Sequence, residues 1–153
     1  MSFPPLCFPA YPLKLREIDQ KLYVFDEIRK KNIVLTPEEW VRQHLLHFFL
    51  HQLHYPRTLI SVETLVRLNG MPKRCDVAVW NKHQQALLLA ECKAPHIALN
   101  PSVFEQTARY NLQLKVRYCL VTNGLQVYCY RLDYEQHTYQ FVEQLPNYEE
   151  LCQ

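Results

Sequence analysis

Asp76, Glu91 and Lys93 are the residues of this chain whose types and spacing could do chemistry together. The β-rich runs Cys75 to Trp80 and Ala86 to Lys93 are separated by the turn-forming stretch Asn81 to Gln85, a pattern that predicts an antiparallel hairpin. With the turn between His83 and Gln84, residues whose numbers sum to 167 face one another, and Asp76 and Glu91 satisfy that sum. Alternation along the second strand puts Leu87, Leu89, Glu91 and Lys93 on one face. Two carboxylates and an ammonium thereby converge at the open end of the hairpin. Facing carboxylates repel, and a shared divalent cation removes the conflict. Oxygen donors of this kind suit Mg²⁺ (or Mn²⁺), which takes few protein carboxylates together with waters and phosphate. A metal held there would lower the pKa of a bound water and polarise a phosphate, while Lys93 oriented the water or neutralised developing charge. The backbone carbonyl of Cys92 is a candidate third ligand. An edge salt bridge between Lys93 and the two acids is the competing structural reading.

The elements that must position these groups come next. Thr36-Pro37-Glu38-Glu39 reads as a helix start, with Thr36 as cap, Pro37 in the first helical position and Glu39 closing a capping box. The helix is expected to run to about Tyr55. A helical wheel gathers Val41, Leu45, Leu46, Phe48, Phe49, Leu50 and Leu53 on one side and His44, His47, His51 and His54 on the other, so the histidines are expected in solvent. A histidine stripe could bind metal, yet no interleaved acid or cysteine helps it. Glu38 points with Arg42 toward the apolar side, where the two either approach a polar site at the sheet edge or form a partly buried ion pair.

Strands are expected at Lys21 to Phe25, Asn32 to Leu35 and Leu59 to Leu68, with Asn69-Gly70-Met71-Pro72 as a turn. Pro101 to about Lys115 reads as a second helix capped by Asn100, with Val103, Phe104, Thr107, Ala108 and Leu112 available for packing. Arg117 to Thr122 returns as a strand, and Leu125 to Arg131 with Thr138 to Gln144 forms a hairpin ahead of a polar tail. The order α-β-β-β-α-β plus a C-terminal β-hairpin defines an α/β (α+β) domain around a mixed central sheet. A single unit, 1-153, is expected, with a proline-rich N-terminal arm, 1-14, carrying Pro4, Pro5, Pro9 and Pro12.

The net charge of +2 is too small to announce a nucleic-acid partner. Between Lys73 and Arg117, however, seven Lys or Arg stand against three acids, a basic middle that fits a phosphate-binding face or a solvated lysine-rich surface. The six cysteines show no C-x-x-C pairing, and four lie in apolar runs, so reduced thiols are expected rather than a disulfide or zinc framework. No apolar run is long enough for a membrane span and no signal peptide is evident, which makes a cytoplasmic location the default.

Arg74-Cys75-Asp76 followed by Glu91-Cys92-Lys93-Ala94-Pro95 resembles the core of the PD-(D/E)XK nucleases. More narrowly, the chain resembles the N-terminal nuclease domain of type I restriction enzyme restriction subunits. The likeness runs from about Leu15 to Pro146 through Phe25-Asp26-Glu27-Ile28-Arg29, Thr36 to Gln43, Gln106-Thr107-Ala108-Arg109-Tyr110-Asn111 and Val121-Thr122-Asn123-Gly124-Leu125. This resemblance implies a restriction-endonuclease-like core and a metal-dependent endonuclease acting on DNA. It implies metal ligation by Asp76 and Glu91, a catalytic role for Lys93, and a Q-x-x-x-Y element in Gln106 and Tyr110 beside the lysine and the DNA backbone. Glu38 matches the place of an accessory acid in such folds. Cys75 stands where the motif has proline. The only glycines are Gly70 and Gly124, so there is no P-loop, and the chain is too short for a complete motor subunit. Any cutting is then done alone, as a homo-oligomer, or under a restriction-system partner. The alternative is a catalytically silent nuclease-fold module that binds DNA or a protein partner.

Overall fold

Three antiparallel strands, β1 (Leu15–Ile18), β2 (Lys21–Asp26) and β3 (Lys31–Val34), open the regular structure in a computed structural model that describes residues 3–153 apart from the side chains of Leu68 and Val103. Strand β1 escapes a sequence reading because all four of its residues are exposed, leaving no apolar alternation to mark it. Val103, expected on a packing face, lies outside the described side chains.

Helix α1 (Pro37–His51) starts as expected, Thr36 Oγ1 accepting from the Glu39 N–H at 3.1 Å with Pro37 in the first helical position. It stops at His51 rather than near Tyr55. The Glu39 carboxylate does not close a capping box; it turns to Arg29, Arg42 and Gln43. The histidine face is also corrected. His44 and His47 are buried, while His51 and His54 are exposed. The N-terminal coil is the reason: Tyr11 stacks on His47 at 3.7 Å, Phe3 stacks on Trp40, and the Trp40 indole donates to Pro4 O at 3.0 Å. A helical wheel assigns that polar side to water because it cannot see the coil lying across it.

Strands β4 (Ile60–Leu68), β5 (Met71–Trp80) and β6 (Ala86–Cys92), helix α2 (Pro101–Leu114), then β7 (Tyr118–Thr122), β8 (Val127–Asp133) and β9 (Thr138–Val142) build a mixed six-stranded sheet in the order β4-β5-β6-β7-β8-β9. Only β6 and β7 run parallel, as the α2 crossover between them requires. Asn69 and Gly70, both at positive φ, make the whole β4–β5 turn, so Met71 and Pro72 belong to β5 instead of the turn. Pro72 is tolerated because β6 pairs with β5 only from Val77 onward, leaving this stretch an edge. The tail is not merely polar. Asn147 and Glu150 form a capping box for α3 (Tyr148–Cys152), which buries Leu151 completely.

The helices cover opposite faces of the sheet. On β7, Tyr118 and Leu120 join Val41, Leu45 and Phe49 of α1, while Cys119 and Val121 join Phe104, Ala108 and Leu112 of α2. Cys75, Cys92, Cys119 and Cys129 are buried in this interior, Cys7 and Cys152 are exposed, and all six are free thiols.

Gly124 lies where the N-terminal coil crosses the β7–β8 turn and accepts the Cys7 N–H at 2.7 Å. Its φ is +83°, and a Cβ there would stand 2.7 Å from Leu6 Cδ2 and 3.0 Å from Val41 Cγ2. Gly124→Ala therefore meets both the left-handed backbone penalty and a clash, and is expected to cost roughly 1–3 kcal/mol. Urea unfolding measures it, and Leu6→Ala in the same chain should recover part of the loss.

Candidate active site

The expected 167 register holds at Val77↔Ala90, Ala78↔Leu89 and Val79↔Leu88, and a bulge between Val79 and Trp80 shifts it by one before the turn. Pairing between β5 and β6 ends at Val77↔Ala90, although β5 stays paired with β4 back to Met71. The strands therefore splay, and Asp76 and Glu91 are the first residues on the two lips of the gap. Among the described residues, two side-chain bonds cross it. Asp76 Oδ2 accepts the Cys92 N–H at 2.7 Å, and Lys73 Nζ donates to Glu91 Oε1 at 2.9 Å. The Asp76 carboxylate thus serves the β6 backbone where pairing with β5 has ceased.

Behind Asp76 lies a buried ionic network. Arg42, 3% exposed, donates to Glu39 at 2.7 Å, Glu38 at 3.0 Å, Asp76 at 3.2 Å and Glu63 at 3.4 Å. Arg29 ties Glu39, Glu63 and Asp26 together, and the Gln43 amide donates to Asp26 and Glu39. Glu39 is 4% exposed and Asp26 0%, so these charges are matched by partners instead of water. Asp26 also accepts the N–H groups of Ile28 and Arg29. Burial pushes its pKa upward, yet the bonds from Arg29 and Gln43 prevail and hold it below the ordinary carboxylate value. Glu38 is raised, by burial and then by the neighbouring Asp76 charge. Glu63, opposite Asp76 where the β4–β5 pairing is interrupted, sits at φ +50°, so the backbone bends where its carboxylate turns to the arginines.

Glu91 belongs to a second group. Lys73, besides bonding Glu91, places its ammonium 5.0 Å from the Tyr110 ring centroid, and the Tyr110 hydroxyl donates to Pro72 O at 3.3 Å. Burial pulls the Lys73 pKa down, but the Glu91 bond and charge raise it overall. Asn69 Nδ2 donates to Gln113 O at 2.9 Å, so the β4–β5 arm is docked along α2 from its tip to Lys73. Gln106 is exposed one turn before Tyr110 on the same helix. Lys93 is exposed just past the end of β6, its N–H bonded to Thr122 O at 2.8 Å, and it acts electrostatically on Glu38. Asp76, Glu38 and Arg42 are thus brought together, as are Glu91, Lys73 and Tyr110, whereas Lys93 enters none of the ion pairs of the described residues. Cys92 separates the groups, its N–H given to Asp76 and its side chain buried toward α1.

Lys73 and Glu63 are the partners that sequence reasoning missed, and neither carried a spacing signal. Of the seven basic residues in the middle of the chain, Lys73 is paired with Glu91 and Arg117 holds the carbonyls of Leu151 and Gln153. Lys82 lies in the turn at the far end of β6. Arg74, Lys93, Arg109 and Lys115 remain exposed.

The donors fit a hard cation. Asp76 and Glu91 side chains are each 26% exposed, reachable from water while held from behind. Among the described residues no cluster of three His, Cys, Asp or Glu ligand atoms forms at these acids, and Mg²⁺ does not need one, since waters and phosphate fill its shell.

Residues 37–146 match the family described as type I restriction enzyme R protein N terminus (HSDR_N), and the chain belongs to that family. Among solved structures it resembles a fragment assigned as the HsdR subunit of a type I restriction enzyme from Vibrio vulnificus YJ016, with a TM-score of 0.50 and 16% identity. The likeness covers 70% of this chain and 23% of that one, so the chain spans about a quarter of the fragment's length, and it supports the mixed α+β fold alone. No curated protein matches. None of the helices of the described residues is long and apolar enough to cross a membrane.

Arg42→Met leaves Glu39 buried without its nearest cation and is expected to cost about 3–5 kcal/mol in chemical unfolding at neutral pH. Asp26 gives a pH signature. Its folded pKa is depressed, so its contribution is present above the ordinary aspartate value of about 3.9 and is lost as pH falls through the folded value. Melting curves from pH 6 down to about 2 should show a steep acid limb in the wild type and a flatter one in Asp26→Asn.

Proposed function

We propose that the chain is an Mg²⁺-dependent (or Mn²⁺-dependent) phosphodiester hydrolase of the PD-(D/E)XK type, endonuclease-like and acting on DNA. Asp76 and Glu91 are the metal ligands, assisted by the Cys92 carbonyl and by Glu38 from α1. The observation that carries this reading is the pair of acids on the two lips of the β5–β6 gap, in a chain of the restriction R-protein N-terminal family. A divalent ion bound there supplies a lowered pKa for its water and charge for a phosphate oxygen.

The protein's own residues do the rest. Cys92 N–H and Arg42 fix the Asp76 carboxylate from behind, limiting its reorientation on binding. Lys93 projects its ammonium from the end of β6 to meet a phosphate oxygen as negative charge builds. Gln106 and Tyr110 offer an amide and a phenol from one face of α2 to the backbone of the same strand. Arg74, Arg109 and Lys115 supply non-specific attraction for DNA. The chain is read as working in a restriction-system complex or as an oligomer, in the cytoplasm.

One observation favours a second reading, a silent module that binds DNA or a protein partner: each acid already has a cation partner in the chain, Arg42 for Asp76 and Lys73 for Glu91. Incubation of supercoiled plasmid with Mg²⁺ or Mn²⁺ separates the two. Hydrolysis reduced at least about a hundredfold by Asp76→Ala, Glu91→Ala and Lys93→Ala is the expected outcome, a loss of roughly 3 kcal/mol of barrier lowering. Equal nicking by all four proteins would mean contamination, and salt-sensitive DNA binding without cleavage under either metal would establish the silent module.

A further inference from the structure

We propose that Glu27, His47 and His51 form a second metal site, one for a borderline transition ion such as Zn²⁺, on the side of α1 covered by the N-terminal coil. Each offers a ligand atom, and these atoms lie within 4.8 Å of one another. His47 and His51 are one turn apart on α1, and Glu27 follows the last residue of β2 directly, so the acid comes from another element and not from the helix. This is the carboxylate that a histidine stripe lacks when read from the helix alone.

The donor set differs in kind from the one at the β5–β6 gap. Two imidazoles and one carboxylate suit Zn²⁺ and its neighbours, whereas an all-oxygen set suits Mg²⁺. Three protein ligands also leave a coordination position for water. Tetrahedral geometry with zinc–ligand distances near 2.0–2.1 Å separates ligand atoms by about 3.3 Å, so the cluster contracts modestly on loading.

Several features prepare the site. His47 is 5% exposed, and its Nδ1 is buried without a hydrogen-bond partner among the described residues, an arrangement that costs stability unless something else engages the ring. The Tyr11 ring lies nearly parallel to both imidazoles, at 3.7 Å from His47 and 5.0 Å from His51, and restrains their planes. Two cationic groups oppose the ion. Arg57 donates to Glu27 Oε2 at 3.1 Å, and Lys14 and Arg57 both add positive charge near this carboxylate. Arg57 is 41% exposed and can give up that bond to water.

Calorimetric titration of the purified chain with Zn²⁺, and absorption spectra with Co²⁺ as the probe, test the site. The expected result is about one ion per chain, with affinity lowered at least tenfold by His51→Ala, a change at an exposed residue that leaves folding intact. Glu27→Gln should also weaken binding, and Arg57→Gln should strengthen it by removing the competing cation. His54→Ala, exposed and outside the cluster, and Asp76→Ala, in the other site, should leave the affinity unchanged, which also keeps this site's fate separate from that of the nuclease reading. Failure of the wild type to bind, equal affinity in His51→Ala, or a thiolate charge-transfer band from cysteine ligation of Co²⁺ would each overturn the proposal.

Discussion

Arg42 is the constraint on which the rest of the structure depends. A guanidinium almost sealed from water must be neutralised, and it is met by carboxylates from three elements: Glu38 and Glu39 of α1, Glu63 of β4 and Asp76 of β5. Arg29 repeats the arrangement and brings in Asp26, so the small sheet, α1 and the large sheet share one set of charges. Apolar contacts would tolerate some sliding between these layers. Directional bonds from two guanidiniums and an amide specify one relative placement. The carboxylate of Asp76 is thereby held in one orientation.

The second determinant is the point at which β5 leaves β6. Continued pairing past Val77 and Ala90 would present a closed backbone ladder at the end of the hairpin. Instead β5 stays with β4, and the arm they form leans on α2 through Asn69, Pro72 and Lys73. The opening exposes polar backbone, and Asp76 satisfies the Cys92 N–H there. A side chain that completes the backbone of the neighbouring strand cannot swing freely, which holds one candidate ligand still.

Much of this was legible in the sequence, and what was missed has specific physical causes. The turn placed between His83 and Gln84 gave the β5–β6 register over Val77–Val79, while the bulge that shifts it at Trp80 left no trace in two strands apolar on both faces. The start of α1 was marked by Thr36 and Pro37. What could not be read were long-range partners: Lys73 and Glu63 are ordinary exposed-type residues until a splayed arm or a bent strand brings them to a carboxylate. The same holds for His47. Its burial comes from Tyr11, far away in a proline-rich coil whose packing leaves no periodic trace. Helix α3 was hidden because five residues are too few to show a 3.6-residue repeat, although Asn147 and Glu150 carried the capping signature.

Charge gives a reason for the proposed chemistry to reside at the gap. Asp26 and Arg29 balance each other within the network. On the Asp76 side of the gap, Glu38, Glu39, Glu63 and Asp76 face Arg42, with Lys93 acting on Glu38, so four negative charges meet two positive ones, while on the other side Lys73 matches Glu91. The unbalanced pair equals the charge of one divalent cation. Arg42 and Lys73 lower the cost of crowding these acids and are themselves largely withdrawn from water, at 3% and 17% exposed. A hard dication entering the gap would complete the neutralisation, and only then would a phosphate be attracted to a site otherwise lined with like charge. On this reading metal binding must precede DNA engagement at the acids, while the exposed Arg74, Arg109 and Lys115 can hold the polymer independently of the metal.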